Sequence, residues 1–366
     1  MSELVVKIIK IDEIFLHDNA ERLELAKVCD WICVVGKNQF KAGDKAIYIP
    51  VDSILSEKAE NIIFADSKIQ LNHHRVRTIR VRGKVSQGLL VDLSKFPKLA
   101  KLDVGTDVAE ALGITKYEPP APSYQQSVPG KKKEKKLENP LFNKYTGLSN
   151  IKWYSETLNI GETVAITEKI HGSNVRFGLL PTAANTLWKK ILKLFKLLPE
   201  HEFVYGSHNV QLQHREGYKG FYSEDVYGAL AKKYDIASIL KPGEQIFGEL
   251  YGSGIQKNYT YGCAQGEHKL VIFDVQVDGV WLNHNDLVKW CQERKLPMVP
   301  ILYVGPYSKE VLEKCTSGKS VLVPAQPVRE GCVVRPMVER FAAPGRVVLK
   351  SINPDYLLDN SNTDFH

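Results

Sequence analysis

An α+β fold in two parts is what this sequence predicts: a small N-terminal β-barrel, a linker, and a larger domain of antiparallel sheets with flanking helices. Three observations lead to it. Residues 1–117 hold short β-type runs with Gly, Asp and Asn between them. Residues 118–138 change composition abruptly, towards Pro, Ser, Gln and Lys. From 139 to 366 longer strands mix with helical segments in no regular βαβα alternation, which argues against a parallel sheet.

In the first part, Leu4–Ile11, Trp31–Val35, Lys45–Pro50 and Gln87–Leu93 are the strand candidates, and Gly36, Gly43 and Gly83 punctuate them. Short strands with such breaks suit a small barrel of the OB type. Arg75, Arg77, Arg80, Arg82 and Lys84 fall on a run that reads as one strand. There they would share a face and track phosphates, and a merely solvated face is the equal alternative. His73 and His74 beside them show no partner pattern and read as surface residues. The stretch Glu118–Gly130 and the run Lys131–Lys136 have too little apolar content to bury a core, so 118–138 reads as an exposed tether.

In the second part, helices are expected over Ser223–Tyr234, Asp286–Lys295 and Lys309–Cys315. Strands are expected over Glu202–Tyr205, Gln245–Tyr251, Lys269–Val277, Gly331–Arg335 and Arg346–Leu349. Ala184–Leu198 stands apart. Trp188, Ile191, Leu192, Phe195 and Leu198 fall on one helical face, with Lys189, Lys190, Lys193 and Lys196 mostly elsewhere. The default reading is a surface helix that packs its apolar stripe on the domain. A basic amphipathic helix of this kind also suits a membrane surface or RNA.

The 366 residues carry 49 Lys and Arg against 42 Asp and Glu, a net charge of +7 that suits a polyanionic partner without demanding one. No apolar run reaches the length of a membrane span, and Met1–Ile14 lacks the features of a signal peptide. An intracellular, soluble protein without a membrane partner is expected. The six cysteines are scattered; Cys29 and Cys33 are close, but no second pair completes a zinc site.

The chemistry is concentrated in the second part. Thr167-Glu168-Lys169-Ile170-His171-Gly172-Ser173-Asn174 lies between two apolar runs and reads as strand, tight turn, strand, with Lys169 at the exit of the first. Glu249 and Asp274 each interrupt an apolar strand, Glu330 precedes another, and Lys350 ends a fourth. Charges buried in strands need a partner, a metal or a cavity, and five in one domain point to a shared polar groove. Two lysines among carboxylates suit phosphoryl transfer: the acids can hold Mg²⁺, Lys350 can neutralise a phosphate, and Phe273 offers a face to a base. No glycine-rich GK[ST] loop is present, so side chains must hold the phosphates.

Six segments carry a resemblance. They are Glu168–Asn174, Tyr205–Asn209, Ile246–Gly252, Val271–Val275, Arg329–Arg335 and Val347–Ser351. In this order they resemble motifs I, Ia, III, IIIa, IV and V of the covalent nucleotidyltransferases, which include DNA ligases, RNA ligases and mRNA capping enzymes. The Lys-Ile-His-Gly-Ser-Asn form resembles RNA ligases of the phage nick-sealing branch. Asn19–Ala26, Phe40–Asp44 and Tyr48–Ser53 resemble the N-terminal OB domain of the Naegleria/Deinococcus-type RNA ligases. The resemblance implies an OB-like domain over 1–117, a linker over 118–138 and a nucleotidyltransferase domain over 139–366. It implies an ATP-dependent RNA ligase that joins 3′-hydroxyl and 5′-phosphate ends of nicked or broken RNA.

The same resemblance assigns roles. Lys169 would attack the α-phosphate of ATP and become lysyl-AMP, and Lys350 would hold that phosphate. Glu249 would contact the ribose or the waters of a Mg²⁺ or Mn²⁺ ion, and Glu330 would bind the ion through its hydration shell. Phe273 would stack on adenine. Glu168 and Ile170 would frame the base, His171 and Asn174 would line the pocket, and His208 and Asp274 would complete the nucleotide site. Three positions depart from the wider pattern: His171 stands where many members have Asp, His208 where Arg or Lys is frequent, and Val348 where a basic residue is frequent. Arg346, on the same expected strand, is the substitute for the last. A DNA ligase or capping enzyme is the nearest alternative, disfavoured because no OB domain is recognisable after Lys350. An RNA-binding protein with an inactive nucleotidyltransferase fold is the alternative from another class. A monomer is expected.

Overall fold

The computed structural model describes residues 4–117, 138–184, 191–212 and 225–358, apart from 66, 68, 193, 325, 327 and 344. The expected tether, with its lysine run, and residues 185–190 of the amphipathic stretch lie outside the described residues. The chain divides into two compact units. Among the described residues these are 4–117 with 149–155 and 357–358, and 138–148 with 156–356.

The first unit is built of short antiparallel strands. They are β1 (Lys7–Lys10), β2 (Glu13–Leu16), β3 (Leu23–Val28), β4 (Trp31–Gly36), β5 (Lys45–Ile49), β6 (Ser53–Ile54), β7 (Thr78–Val81), β8 (Lys84–Gln87), β9 (Leu89–Asp92) and β10 (Thr115–Lys116). They pair as β1-β5-β9, β2-β3-β4, β7-β8 and β6-β10. β5 is apolar on both faces for a reason. Ile47 and Ile49 enter a cluster with Ile8, Leu55 and Val91, while Ala46 and Tyr48 enter another with Ile9, Ala26, Trp31 and Cys33. Alternation thus builds two cores from one strand. The segment 149–155, which begins with β11 (Ser149–Asn150), belongs to this unit: the Trp153 ring meets Tyr48 edge-on at 5.4 Å, and Lys152 Nζ donates to Gln87 Oε1 at 3.0 Å.

The basic run at 75–84 is not one strand. Arg82 and Gly83 both have left-handed φ, 49° and 91°, and turn the chain between β7 and β8 as a tight hairpin. Arg75 lies before β7, where its Nε donates to Asp52 at 3.1 Å and its guanidinium lies 3.5 Å from the centre of the Tyr117 ring. His74, read as a plain surface residue, bonds Glu60. The five basic side chains therefore do not share a face.

The second unit holds two larger antiparallel sheets. Its strands are β12 (Thr163–Lys169), β13 (Ser173–Pro181), β14 (His201–Ser207), β15 (Gln211–Leu212), β16 (Glu244–Gly252), β17 (His268–Val277), β18 (Val280–Trp281), β19 (Ile301–Pro306), β20 (Gly331–Pro336), β21 (Phe341–Ala342), β22 (Gly345–Arg346) and β23 (Leu349–Ile352). One sheet has the order β23-β20-β12-β19, the other β15-β14-β13-β16-β17-β18, and β21-β22 is a separate hairpin. The strand expected over Arg346–Leu349 is in fact two. Lys350 is the second residue of β23 and does not end a strand.

The helices fall where expected, over Val226–Lys233, His284–Glu293 and Lys309–Thr316. Asp225 starts the first by accepting from Gly228 N, and Ser308 starts the last by accepting from Val311 N. Leu230 and Leu287 of these helices meet Val175, Phe177, Ile246, Leu250, Ile272 and Val275 in the main core. That core covers one face of the six-stranded sheet; the other carries Arg176, Glu249 and Asp274 together with Phe247 and a small cluster of Phe142, Leu180 and Val204.

Candidate active site

The turn after Lys169 joins the two sheets. β12 ends at Lys169 in one sheet, and β13 starts at Ser173 in the other. Only glycine fits at 172, because a Cβ there would lie 2.2 Å from the Leu250 carbonyl oxygen. The backbone groups of the turn are held by side chains. His171 N donates to Tyr261 Oη at 2.8 Å, Gly172 N to Glu249 Oε1 at 3.1 Å, and Gln256 Nε2 donates to Gly172 O at 2.7 Å.

Lys169 is a quarter exposed and its Nζ donates to Glu330 Oε1 at 2.6 Å. Register places Lys350 on the same sheet face. Thr167 pairs with Val333 and Val333 with Lys350, and Lys169 lies two residues beyond Thr167. From the other sheet, Glu249 pairs with Asn174 across β13 and β16, on the face away from the main core. Burial pushes the Glu249 carboxyl up to about 8, and Glu330 adds to the rise while Lys169 opposes it.

His171 is 2% exposed. Its Nδ1 lies 3.2 Å from Tyr356 Oη and 4.0 Å from Glu330 Oε2, and its ring meets those of Tyr259 and Tyr356 edge-on. Ile170 is buried beside it. Glu168 is buried too, and its Oε2 accepts from Val321 N at 2.8 Å and Leu322 N at 3.3 Å, tying the loop before Glu330 to β12. Among the described residues of the site, Glu168 Oε1, Asn174 Oδ1 and Glu330 Oε2 are buried acceptors with no hydrogen-bond partner. In a site that works on a polar ligand, such orphaned atoms are what the ligand must satisfy.

Those atoms also test the fit of a divalent ion. Among the described residues no group of three or more His, Cys, Asp or Glu is arranged to hold a metal by itself. Glu249 and Glu330, with an unpaired oxygen on the latter, fit an Mg²⁺-type ion that keeps its waters and takes further oxygens from a phosphate.

Phe273 owes its direction to a bulge. Phe247 pairs with Asp274 and Gly248 with Ile272, so Phe273 is the extra residue in β17. Ile272 and Val275 both enter the main core, leaving Phe273 and Asp274 on the polar side. The Tyr145 ring holds the Phe273 ring edge-on at 4.8 Å.

Asp274 departs from its expected place in the nucleotide site. It is fully buried and its carboxylate accepts from Arg335, from Arg346 Nη1 at 2.6 Å and from Tyr145 Oη at 2.9 Å. Burial works against the charge, but Arg335 and Arg346 outweigh it and hold the carboxyl below the usual range. The substitution offered by Arg346 also fails. That side chain is committed to Asp274 and Glu339 and lies against the Trp281 ring. His208 follows β14, in the turn closed by Ser207 N to Val210 O at 3.0 Å.

The structure thus brings Lys169, His171, Asn174, Glu249, Glu330 and Lys350 to the junction of the two sheets. Sequence reasoning missed Gln256, Tyr259, Tyr261 and Tyr356, which hold the turn and His171, and Tyr145, which lies against Phe273 and bonds Asp274. Only the crowding of Tyr259 and Tyr261 ahead of Gly262 offered any signal.

Solved structures share this architecture. A Naegleria gruberi RNA ligase mutant with ATP and Mn matches with a TM-score of 0.73 and 23% identity, over 96% of this chain and 98% of that one. The same ligase with PPi matches with a TM-score of 0.72 and 23% identity, over 97% and 98%. A further mutant, in the apo form, matches with 0.71 and 23%, over 96% and 97%. No curated protein matches the sequence. Residues 5–93 match an OB-fold domain model, and residues 162–352 match the RNA ligase model. With Lys169, Glu249, Glu330 and Lys350 all inside the latter span, the chain belongs to the RNA ligase family.

Proposed function

We propose that this chain is an ATP-dependent RNA ligase that works through a lysyl-AMP on Lys169 and repairs RNA breaks with 3′-hydroxyl and 5′-phosphate ends. The observation that carries the reading is the contact of Lys169 Nζ with Glu330 at 2.6 Å, on the sheet face that also bears Lys350. The similar Naegleria structures with ATP, AMP and Mn support the choice of nucleotide and ion.

In the first step the Lys169 amine, having lost its proton, attacks the α-phosphorus of ATP. A P–N bond forms, the P–O bond to pyrophosphate breaks, and pyrophosphate leaves. Lys350 neutralises charge on the α-phosphate as it becomes five-coordinate. Glu249 and Glu330 would hold the divalent ion, which supplies charge neutralisation to the phosphates. Asn174 and His171 line the pocket, Phe273 stacks on the base, and Glu168 Oε1 supplies an acceptor at its edge. An RNA 5′-phosphate oxygen then takes the AMP from Lys169, and a 3′-hydroxyl displaces AMP to form the phosphodiester.

Incubation with α-labelled ATP and Mg²⁺ or Mn²⁺ tests this. Label that survives denaturing electrophoresis and is absent from Lys169→Ala is expected. Absence of label on the native chain, equal label on the variant, or preference for GTP would overturn it. The domain division at 117 and 138 and the monomeric state belong to the same reading. Removal of 1–117 is expected to weaken nick sealing more than self-adenylylation.

A further inference from the structure

The segment after Ser351 carries none of the six motifs, yet one of its residues reaches into the site. Asn353 is 1% exposed. Pro354 disfavours helical backbone at the residue before it, and a short helix, Pro354–Leu358, starts at that proline. Asn353 Oδ1 accepts from Asp355 N at 3.0 Å and so caps this helix. For capping, Asp supplies the acceptor as well as Asn does, and Ser or Thr supplies it with a shorter side chain. Asn alone among these carries a separate NH₂ donor, and here it is used: Nδ2 donates to Arg329 O at 3.0 Å.

The backbone of the same residue holds the next carbonyl. Asn353 N donates to Glu330 O at 2.9 Å, one step beyond the last β20–β23 pair, Gly331 with Ile352. The two strands approach so closely there that a Cβ on Gly331 would lie 2.1 Å from Ser351 O. One residue therefore fixes both peptide planes that flank the Glu330 Cα, the one before through Arg329 O and the one after through Glu330 O. With both planes held, the direction of the Glu330 Cα–Cβ bond is held too. That direction decides whether Oε1 meets Lys169 Nζ, at 2.6 Å, and where the buried, unbonded Oε2 lies.

We infer that Asn353 is a positioning residue for nucleotidyl transfer: through its side-chain amide it aims the Glu330 carboxylate at Lys169 and the divalent ion. The inference rests on the ligase reading above, in which Glu330 holds the ion. The working site then does not stop at the last motif but includes the cap of the helix that follows it.

Kinetics of AMP labelling on the folded full chain, well below its melting point, test this. Asn353→Asp and Asn353→Ser both keep an acceptor for the cap and remove the amide donor. Each is expected to lower the labelling rate at saturating ATP about tenfold to a hundredfold and to leave KM for ATP within about threefold. Each should also raise the Mn²⁺ concentration that gives half the maximal rate. Because the effect runs through Glu330, the same substitution placed in Glu330→Gln should cost about twofold or less. The inference is overturned by an equal fold loss in both backgrounds, by a loss that only follows the folded fraction, or by native rates in both variants. A native chain that takes up no AMP would instead sink the ligase reading. Mn²⁺ binding without nucleotide, read by water-proton relaxation, then decides the role of Asn353 by itself. The Asn353 variants and Glu330→Gln should each bind the ion about tenfold more weakly than the native chain, and equal binding throughout would end the inference.

Discussion

Two clusters of buried charge lie on the strands of the second unit and differ in one respect. Around Asp274, every strong charge has an answer: Arg335, Arg346 and Tyr145 surround the carboxylate, and Glu339 takes the rest of Arg346. Around Lys169, a Glu330 oxygen and the Asn174 carbonyl are buried without a partner, and the Glu249 carboxyl is pushed up to about 8. The first cluster supplies its own counter-charges, and the buried atom it leaves without a hydrogen bond is a donor, Arg335 Nε. The second leaves buried acceptors, a carboxylate oxygen among them, for something added. Charge in an apolar strand is therefore a weak sign of function, and unsatisfied charge is a stronger one.

The contrast can be broken most sharply at Lys169. Lys169→Arg is expected to keep the cation and the fold but to cut AMP labelling by at least about a thousandfold, since guanidinium stays protonated and is no nucleophile. Labelling near the native level would place the nucleophile elsewhere. Next comes Glu330→Gln, expected to lower labelling by about a hundredfold or more while leaving urea stability unchanged or raised. A large loss of stability there would make Glu330 a structural partner like Asp274.

The opposite signature is expected for Asp274→Asn. Two buried arginines would lose their counter-charge, so urea denaturation should show a loss of about 3–5 kcal/mol. Labelling per folded molecule should survive; its disappearance in a stable variant would return Asp274 to the nucleotide site. Tyr145→Phe is a finer probe. It removes one donor to Asp274 and keeps the ring against Phe273, so a loss of about 1 kcal/mol with little change in KM for ATP is expected.

A separate probe concerns pH. His284 is buried near Arg335, and burial first, then that cation, push its imidazole down to about 4. It is thus neutral in the folded chain while the unfolded chain takes a proton below about 6.5, its ordinary value. Stability should fall as pH drops from about 6.5 to about 4, and His284→Gln should flatten that slope in melts across the range. An unchanged slope would remove His284 from the network.

Much of the site was legible because its residues are close in sequence. Lys169 to Asn174 reads as strand, turn and strand, and β12 and β13 bear that out. What remained hidden depends on long-range pairing. That the two strands belong to different sheets follows from partners such as Val333 and Phe247, far along the chain. The bulge that singles out Phe273 exists only through its register with β16. Asp274 looked like its neighbours Glu249 and Glu330, since a single sequence does not show that Arg335 and Arg346 come to meet it. The basic run was different. The step from Arg77 to Arg80 breaks a two-residue alternation, so the failure of a shared face was already visible there, as was the turn at Gly83.

One feature of the junction reaches beyond static chemistry. Lys169, the proposed nucleophile, is the last residue of β12 in one sheet, Glu249 belongs to the other, and three residues form the seam between them. A shift of one layer against the other would therefore change the spacing of Lys169 and Glu249. Substrate that draws the layers together would thereby set the aim of Lys169 in the proposed reaction, and a seam one residue longer is expected to leave both layers intact and AMP labelling abolished.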